Sequence, residues 1–231
     1  LAWPSSPSFA NYEEVFSTGK ILTAYKNSII ITVSTVLLEI CLSSLAAYPL
    51  ARNDSRLNRK ISSFCLGVMM IPSVSILVGV YTTLVSLNGI SHLWAVVAVE
   101  SAFGLPMSIF MYTNFIRSIP SALDEAAAID GCGYLRYVIR CIVPLAQPAM
   151  VSMGMLSMIG VWNDIVSSTI YLTSESNYNI TRGLFVFTGQ YSNDWTLTAA
   201  GLLVVAALLI LIYIFGQRYI VDGVMAGGLK G

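Results

Sequence analysis

Five long stretches of the chain are almost wholly apolar, at about Ser28–Leu50, Ile61–Ser86, Leu93–Ile116, Pro148–Leu172 and Leu197–Tyr219, with polar segments between them. A hydrocarbon layer of roughly 30 Å needs about 20 mostly apolar residues per helix, so each stretch is long enough to span. Backbone that crosses lipid must satisfy its own hydrogen bonds, which predicts an all-α, polytopic transmembrane helix bundle with five spans. The polar residues inside these stretches are not scattered. Ser28, Thr32, Thr35, Glu39 and Ser43 recur at spacings of four, three, four and four, on one helical face that is expected to point into the bundle. Glu39 falls near the middle of its span, where a carboxylate is costly unless paired, hydrated or protonated. Pro72, flanked by Ser73 and Ser75, predicts a kink in the second span. Asn88-Gly89 predicts a turn into the third span, which carries Glu100 and Pro106. The fourth span is rich in methionine in its first half, and its second half holds Gly160, Asn163, Asp164, Ser167 and Tyr171 in helical register beside Trp162.

Composition agrees with a membrane protein and excludes several functions. Of 231 residues, 56% are hydrophobic and 10% charged, too apolar for a soluble domain of this size. Net charge is zero, but its distribution is uneven. Arg52, Arg56, Arg59, Lys60, Arg117, Arg136, Arg140, Arg218 and Lys230 fall on one side of the alternating spans, and Lys20, Lys26 and Arg182 on the other. The positive-inside rule makes the first side cytoplasmic, with the chain starting outside and ending inside. No two of Cys41, Cys65, Cys132 and Cys141 have the spacing of a metal pair, so disulfide and zinc readings both fail. The one histidine, His92, lies at a span end and offers no proton relay. Nucleic acid is not an expected partner.

One polar stretch stands apart, Ser121 to Pro148. Ser121 is expected to cap a short helix, Ala122 to Asp130, with Asp124 returning the capping contact. Gly131 and Gly133 stop that helix after roughly 13 Å. Ala126, Ala127 and Ala128 make its middle slim, so it suits insertion into a partner's groove, with Glu125 and Asp130 supplying charge at the edges. The following residues, Tyr134 to Ile142, predict a second, interfacial helix with Arg136 and Arg140 on one face, broken by Pro144 and Pro148.

These residues carry a family resemblance. Glu125-Ala126-Ala127, Asp130-Gly131, Ile142 and Pro144 resemble the Glu-Ala-Ala loop of the permease subunits of binding-protein-dependent ABC importers. The likeness to the maltose-type, carbohydrate-importing branch extends through Asn27-Ser28, Ala46 to Arg52, Trp162-Asn163-Asp164 and the tail Gly223 to Gly231. Cys132, where that pattern commonly has Ala, and Leu208, near a frequent Pro, depart from it. The resemblance implies a type I importer permease fold forming a single permease domain over residues 1–231. It places the coupling loop at 118–148 and a cytoplasmic tail at 220–231, with one further span upstream of Leu1. It also implies coupling to an ABC ATPase dimer through Asp124, Glu125, Ala126, Ala127, Asp130, Gly131 and Pro144, with Gly228 and Lys230 reaching into the ATPase pair. A second, homologous permease subunit, an extracytoplasmic sugar-binding protein and membrane lipid complete the expected partners, in a bacterial inner membrane.

No phosphate-binding Gly-rich loop followed by Lys and Ser or Thr is present, so the chain is expected to be no enzyme. ATP and Mg would be bound by the partner ATPase, and no cofactor is expected here. For the solute pathway, Glu39, Trp162, Asn163, Asp164 and Ser167 offer the amide, carboxylate, hydroxyl and aromatic groups that bind sugars, although the same residue types also pack helices together. The rival reading is an ion-coupled transporter or channel using Glu39, Glu100 and Asp164; inverted repeats would favour it, and none is visible between the halves.

Overall fold

The computed structural model describes residues 8–17, 20–184 and 195–228, and every regular element among them is helical. A short helix α1 (Ala10–Ser17) precedes the long α2 (Lys20–Arg52). Then come α3 (Arg56–Met69), a tight turn at Ser73–Ile76, α4 (Leu77–Ser86) and α5 (Leu93–Ser118). The surface helix α6 (Ala122–Ile129) leads into α7 (Tyr134–Tyr137), a wide π turn (Val138–Ile142) and α8 (Val143–Leu145). The last elements are α9 (Gln147–Asn163), α10 (Val166–Tyr171), α11 (Ile180–Leu184) and α12 (Trp195–Gly228).

Helix α2 is the axis of the bundle and packs chiefly on α5 and α9. Its amphipathicity is inverted relative to a soluble helix. Asn27, Ser28, Thr32, Thr35, Glu39 and Ser43 are buried, while Leu22, Ile29, Val33, Leu37, Leu38 and Leu42 face outward. That is the arrangement lipid dictates, because hydroxyls and carboxylates find partners only inside the bundle. Three buried clusters hold the rest. One gathers Ala47, Tyr112, Ile116, Tyr137, Ile142 and Met150 around the Arg52 end of α2. A second joins Ile31, Val96, Val99, Val161 and Tyr171. The third packs Val15, Ile21, Trp162, Ile180 and Leu197 where α1, α2, α9, α11 and α12 meet.

Among the described residues, three helices are singly long and apolar enough to cross a membrane: α2, α5 and Trp195–Ile214 of α12, rising to five spans if each of two bent pairs counts as one. The bends exceed what the sequence predicts. At the second apolar run the expected kink is a 94° break between Arg56–Met69 and Ser73–Ser86. The last amides of α3 turn back in tight bonds, Met70 N to Gly67 O at 3.2 Å and Ile71 N to Val68 O at 3.1 Å, and Pro72 has no N–H with which to continue the ladder. Tyr134–Leu145 and Gln147–Asn163 meet at 75°, where Pro144 and Pro148 stand. The fourth apolar run, expected to be continuous from Pro148 to Leu172, is interrupted at Asp164, which is extended (φ −63°, ψ 124°). The tail expected at 220–231 continues as helix to Gly228; Lys230 lies outside the described residues.

Two helix ends follow the left-handed capping rule closely. Asn88 (φ 53°) ends α4, with Gly89 N bonded to Leu84 O at 2.8 Å, and Gly131 (φ 67°) ends α6, with Cys132 N bonded to Ala127 O at 2.9 Å. At the far end of α2 from Arg52, Asn27 donates to Ser176 O and Tyr178 O at 2.9 and 3.0 Å, and Ser28 accepts from Ile180 N at 2.7 Å. Those two side chains pin the segment before α12 onto the bundle.

Candidate functional site

Two regions carry the residues singled out from sequence, and α2 touches both. The first is the surface helix α6. Ser121 is itself in helical conformation (φ −66°, ψ −18°) and makes no side-chain cap, so the expected capping pair is not formed. Its carbonyl accepts from Asp124 N and Glu125 N instead. The Asp124 carboxylate turns inward to α2: Oδ2 lies 2.7 Å from Arg52 Nε, and Tyr48 Oη donates to Oδ1 at 3.0 Å. A second Arg52 nitrogen donates to Ile119 O at 2.8 Å, just before α6, and Arg117 reaches Leu50 O at 3.4 Å. Three tyrosine rings close round the pair, Tyr48 meeting Tyr134 edge-on at 5.5 Å and Tyr137 at 5.7 Å. Pro49 explains a further tie. Lacking an N–H, it frees the carbonyl of Leu45 one turn back, and Tyr134 Oη donates to that oxygen at 3.4 Å.

The outer side of α6 is open. Glu125, Ala126, Ala128 and Asp130 are exposed, Ile129 is 86% exposed, and only Ala127 leans on the buried cluster beneath. Neighbouring α2 residues therefore hold Asp124, while Glu125, one position on, is free for a partner. Pro144 is exposed in the turn beyond the π segment.

The second region is a cavity of about 350 Å³ between α2, α5 and α9, lined in part by Glu39, Glu100, Gly104, Ser108, Ser157 and Gly160. A smaller one, about 170 Å³, shares Glu100 and Phe103 with it and adds Asp164, Ser167 and Tyr171. Glu39 is buried, and Ser108 donates to its Oε2 at 3.5 Å. A Cβ at Gly104 would stand 1.9 Å from Glu39 Oε1, so the glycine leaves the notch that the carboxylate fills. No basic side chain pairs with Glu39 among the described residues. The structure thus brings Glu39 and Glu100 to one cavity face and Glu100, Asp164 and Ser167 to an adjoining one, acceptor groups set in largely apolar surroundings.

Two other residues expected with them lie elsewhere. Trp162 is buried in the third cluster, edge-on to Tyr25 at 5.4 Å, and Asn163 folds back to donate to Ile159 O at 2.8 Å. Asp164 has structural duty as well, accepting from Ser167 N, Ser168 N and Ser168 Oγ and so starting α10. Gly104, Ser108 and Ser157 were not singled out from sequence. A signal existed for the first two, since Glu100, Gly104 and Ser108 recur every four residues, one stripe of α5 facing the stripe of α2. Among the described residues no three His, Cys, Asp or Glu side chains are placed to share a metal ion.

Comparison with known proteins fixes the class. Residues 39–224 match the family model of the binding-protein-dependent transport system inner membrane component. The chain belongs to this family. It is 30% identical over 230 residues to the melibiose/raffinose/stachyose import permease protein MelC of Bacillus subtilis (strain 168), covering 99% of this chain and 83% of MelC. It is 28% identical over 235 residues to the multiple sugar-binding transport system permease protein MsmG of Streptococcus mutans, covering all of this chain and 84% of MsmG. Its fold superposes on a chain of a bacterial ABC transporter involved in the import of the acidic polysaccharide alginate, with a TM-score of 0.80 at 21% identity over 94% of this chain and 81% of that one. A chain of the MetNI methionine ABC transporter superposes with a TM-score of 0.71 at 18% identity, over 90% of this chain and 97% of that one. The chain is thus an inner-membrane transport permease, and the all-α bundle read from its apolar runs is the fold of ABC importer permeases.

Proposed function

We propose that this chain is one transmembrane subunit of an ATP-driven importer that takes a carbohydrate from an external binding protein and releases it into the cytoplasm. The observation that carries the reading is α6: a short helix, slim and open on its outer side, with Glu125 and Ile129 outward and Asp124 anchored inward. Such a helix buries little by itself and fits a groove on an ATPase subunit. ATP and Mg bind to a dimer of that subunit, and a second permease completes the pathway. The basic residues clustered around Arg52–Lys60, Arg117 and Arg136–Arg140 orient this multi-pass chain with α6 and its C-terminal end in the cytoplasm. Gly228 and Lys230 then lie near the ATPase pair. Asp130, Gly131 and Pro144 set the shape of the coupling loop, residues 118–148. The solute class is supported by the sugars named for MelC, by the multiple sugar-binding transport system named for MsmG, and by the acceptor groups of Glu39, Glu100, Asp164 and Ser167 in the two adjoining cavities, which suit a polyhydroxylated solute.

Cross-linking tests the docking directly. With the four native cysteines replaced, a cysteine at Glu125 or Ala126 is expected to cross-link to the co-expressed ATPase subunit, whereas one at Leu37 on the lipid-facing side of α2 does not. Cross-linking at Leu37 and none at Glu125 would contradict the reading.

A further inference from the structure

We propose that Asp124, Arg52 and Tyr48 form a latch that makes α6 and α2 move as one body, so that α2 carries motion from the coupling helix to the cavity at Glu39. The proposal rests on the coupling reading above and divides its residues. Asp124 acts within the chain and Glu125 acts on the partner.

A short helix on a loop transmits force only as far as it is tied down. At its C-terminal end α6 runs into Gly131 and Gly133, where a Cβ at either would meet no atom within 4 Å, and only Cys132 between them packs on the buried cluster. At its other end it is covalently continuous with α5 through Ile119, Pro120 and Ser121. Its polar side-chain ties lead to α2, while Ala127 packs on the buried cluster formed with α5, α7 and the π turn. The Asp124–Arg52 pair at 2.7 Å, with side chains only 20% and 18% exposed, is held in a ring of tyrosines. Arg52 also binds Ile119 O, so one guanidinium grips both the base of α6 and the strap leading into it. Tyr134, on the other flank of the loop, reaches Leu45 O. Partial burial is what makes such a pair stiff: removing one partner leaves the other charge poorly solvated, unlike an exposed pair such as Arg59–Asp54.

Arg52 and Glu39 are on the same helix, thirteen residues and about 20 Å apart at 1.5 Å per residue. A tilt imposed at Arg52 therefore moves Glu39 against Gly104 and Ser108, the α5 side of the cavity wall. Tyr48 and Arg52 are thus positioning residues for transport, although neither faces the cavity nor lies on the exposed side of α6.

The test uses the assembled complex in vesicles. In Asp124→Asn and Arg52→Gln, the complex is expected to assemble and its basal ATP hydrolysis to continue, while solute moved per ATP falls about tenfold, within the usual range for coupling between sites. A second measurement does not depend on those variants folding. Spin labels at exposed Ser121 and Asp54 are expected to keep one separation in nucleotide-free and ATP-trapped complex. A separation that changes with nucleotide, or unchanged transport per ATP in both variants, overturns the latch. Glu125→Lys is the control. If it uncouples while the two latch variants do not, the latch alone fails; if it too behaves as wild type, the coupling reading fails with it.

Discussion

Glu39 and Gly104 show what a single residue fixes in this bundle. A carboxylate in the middle of an apolar span is tolerated because Ser108 of α5 donates to it, and its acid head occupies the space that a methyl group at Gly104 would take. Gly104→Ala therefore forces the carboxylate out of its notch, and we expect the purified complex to lose about 1–3 kcal/mol of stability through overpacking. In a Glu39→Ala background the same substitution has room. The double-mutant cycle, read from melting of both pairs, should be strongly non-additive, and an equal penalty in both backgrounds would contradict the close fit. Sequence announced Glu39 through its place in a polar stripe, because helical spacing is local. It did not announce what Asp124 meets, since Arg52 is 72 positions away and nothing nearby marks the pairing. Asp124's half of the expected capping pair went to that distant guanidinium, a charge-assisted contact stronger than a neutral cap bond.

At the level of elements, Gly131, Pro72, Pro144 and Pro148 were read correctly as punctuation, but the size of their effects was not. Gly131 ends α6 in the left-handed conformation that its position predicts. With open space around it, the cost of Gly131→Ala is purely conformational, about 1–2 kcal/mol. Hydrogen exchange at the Cys132 amide, which bonds Ala127 O, should speed up accordingly, and unchanged exchange would mean that the helix end does not depend on this turn. Pro72 signalled a kink, yet a local signal carries no angle, and the break is 94°. Asp164 ends α9 inside a run that hydropathy reads as unbroken. A hydropathy window cannot see that Asn179 and Thr181, from the segment before α12, take up the carbonyls of Asp164 and Trp162.

The whole molecule follows from one inversion, polar side chains inward and apolar side chains outward, and that much was legible from the five apolar runs. The two adjoining cavities are less so: Glu39 and Glu100 line one, and Glu100, Asp164 and Ser167 the other, because α2, α5 and the α9–α10 break converge, a tertiary fact, whereas Trp162 turned into a core cluster beside Tyr25. Helix α2 runs from the cavity at Glu39 to α6, so a charge on the open side of α6 is expected to govern work done at a distance. The most direct measurement is ATP hydrolysis by the reconstituted complex, with and without solute-loaded binding protein, in wild type and Glu125→Lys. Inverting this charge should remove stimulation by roughly tenfold or more, a charge-assisted contact of about 2–5 kcal/mol where the pair is buried on docking, while the binding protein's own affinity for solute stays normal. Full stimulation and full transport in Glu125→Lys would contradict the assignment of α6 as the coupling element.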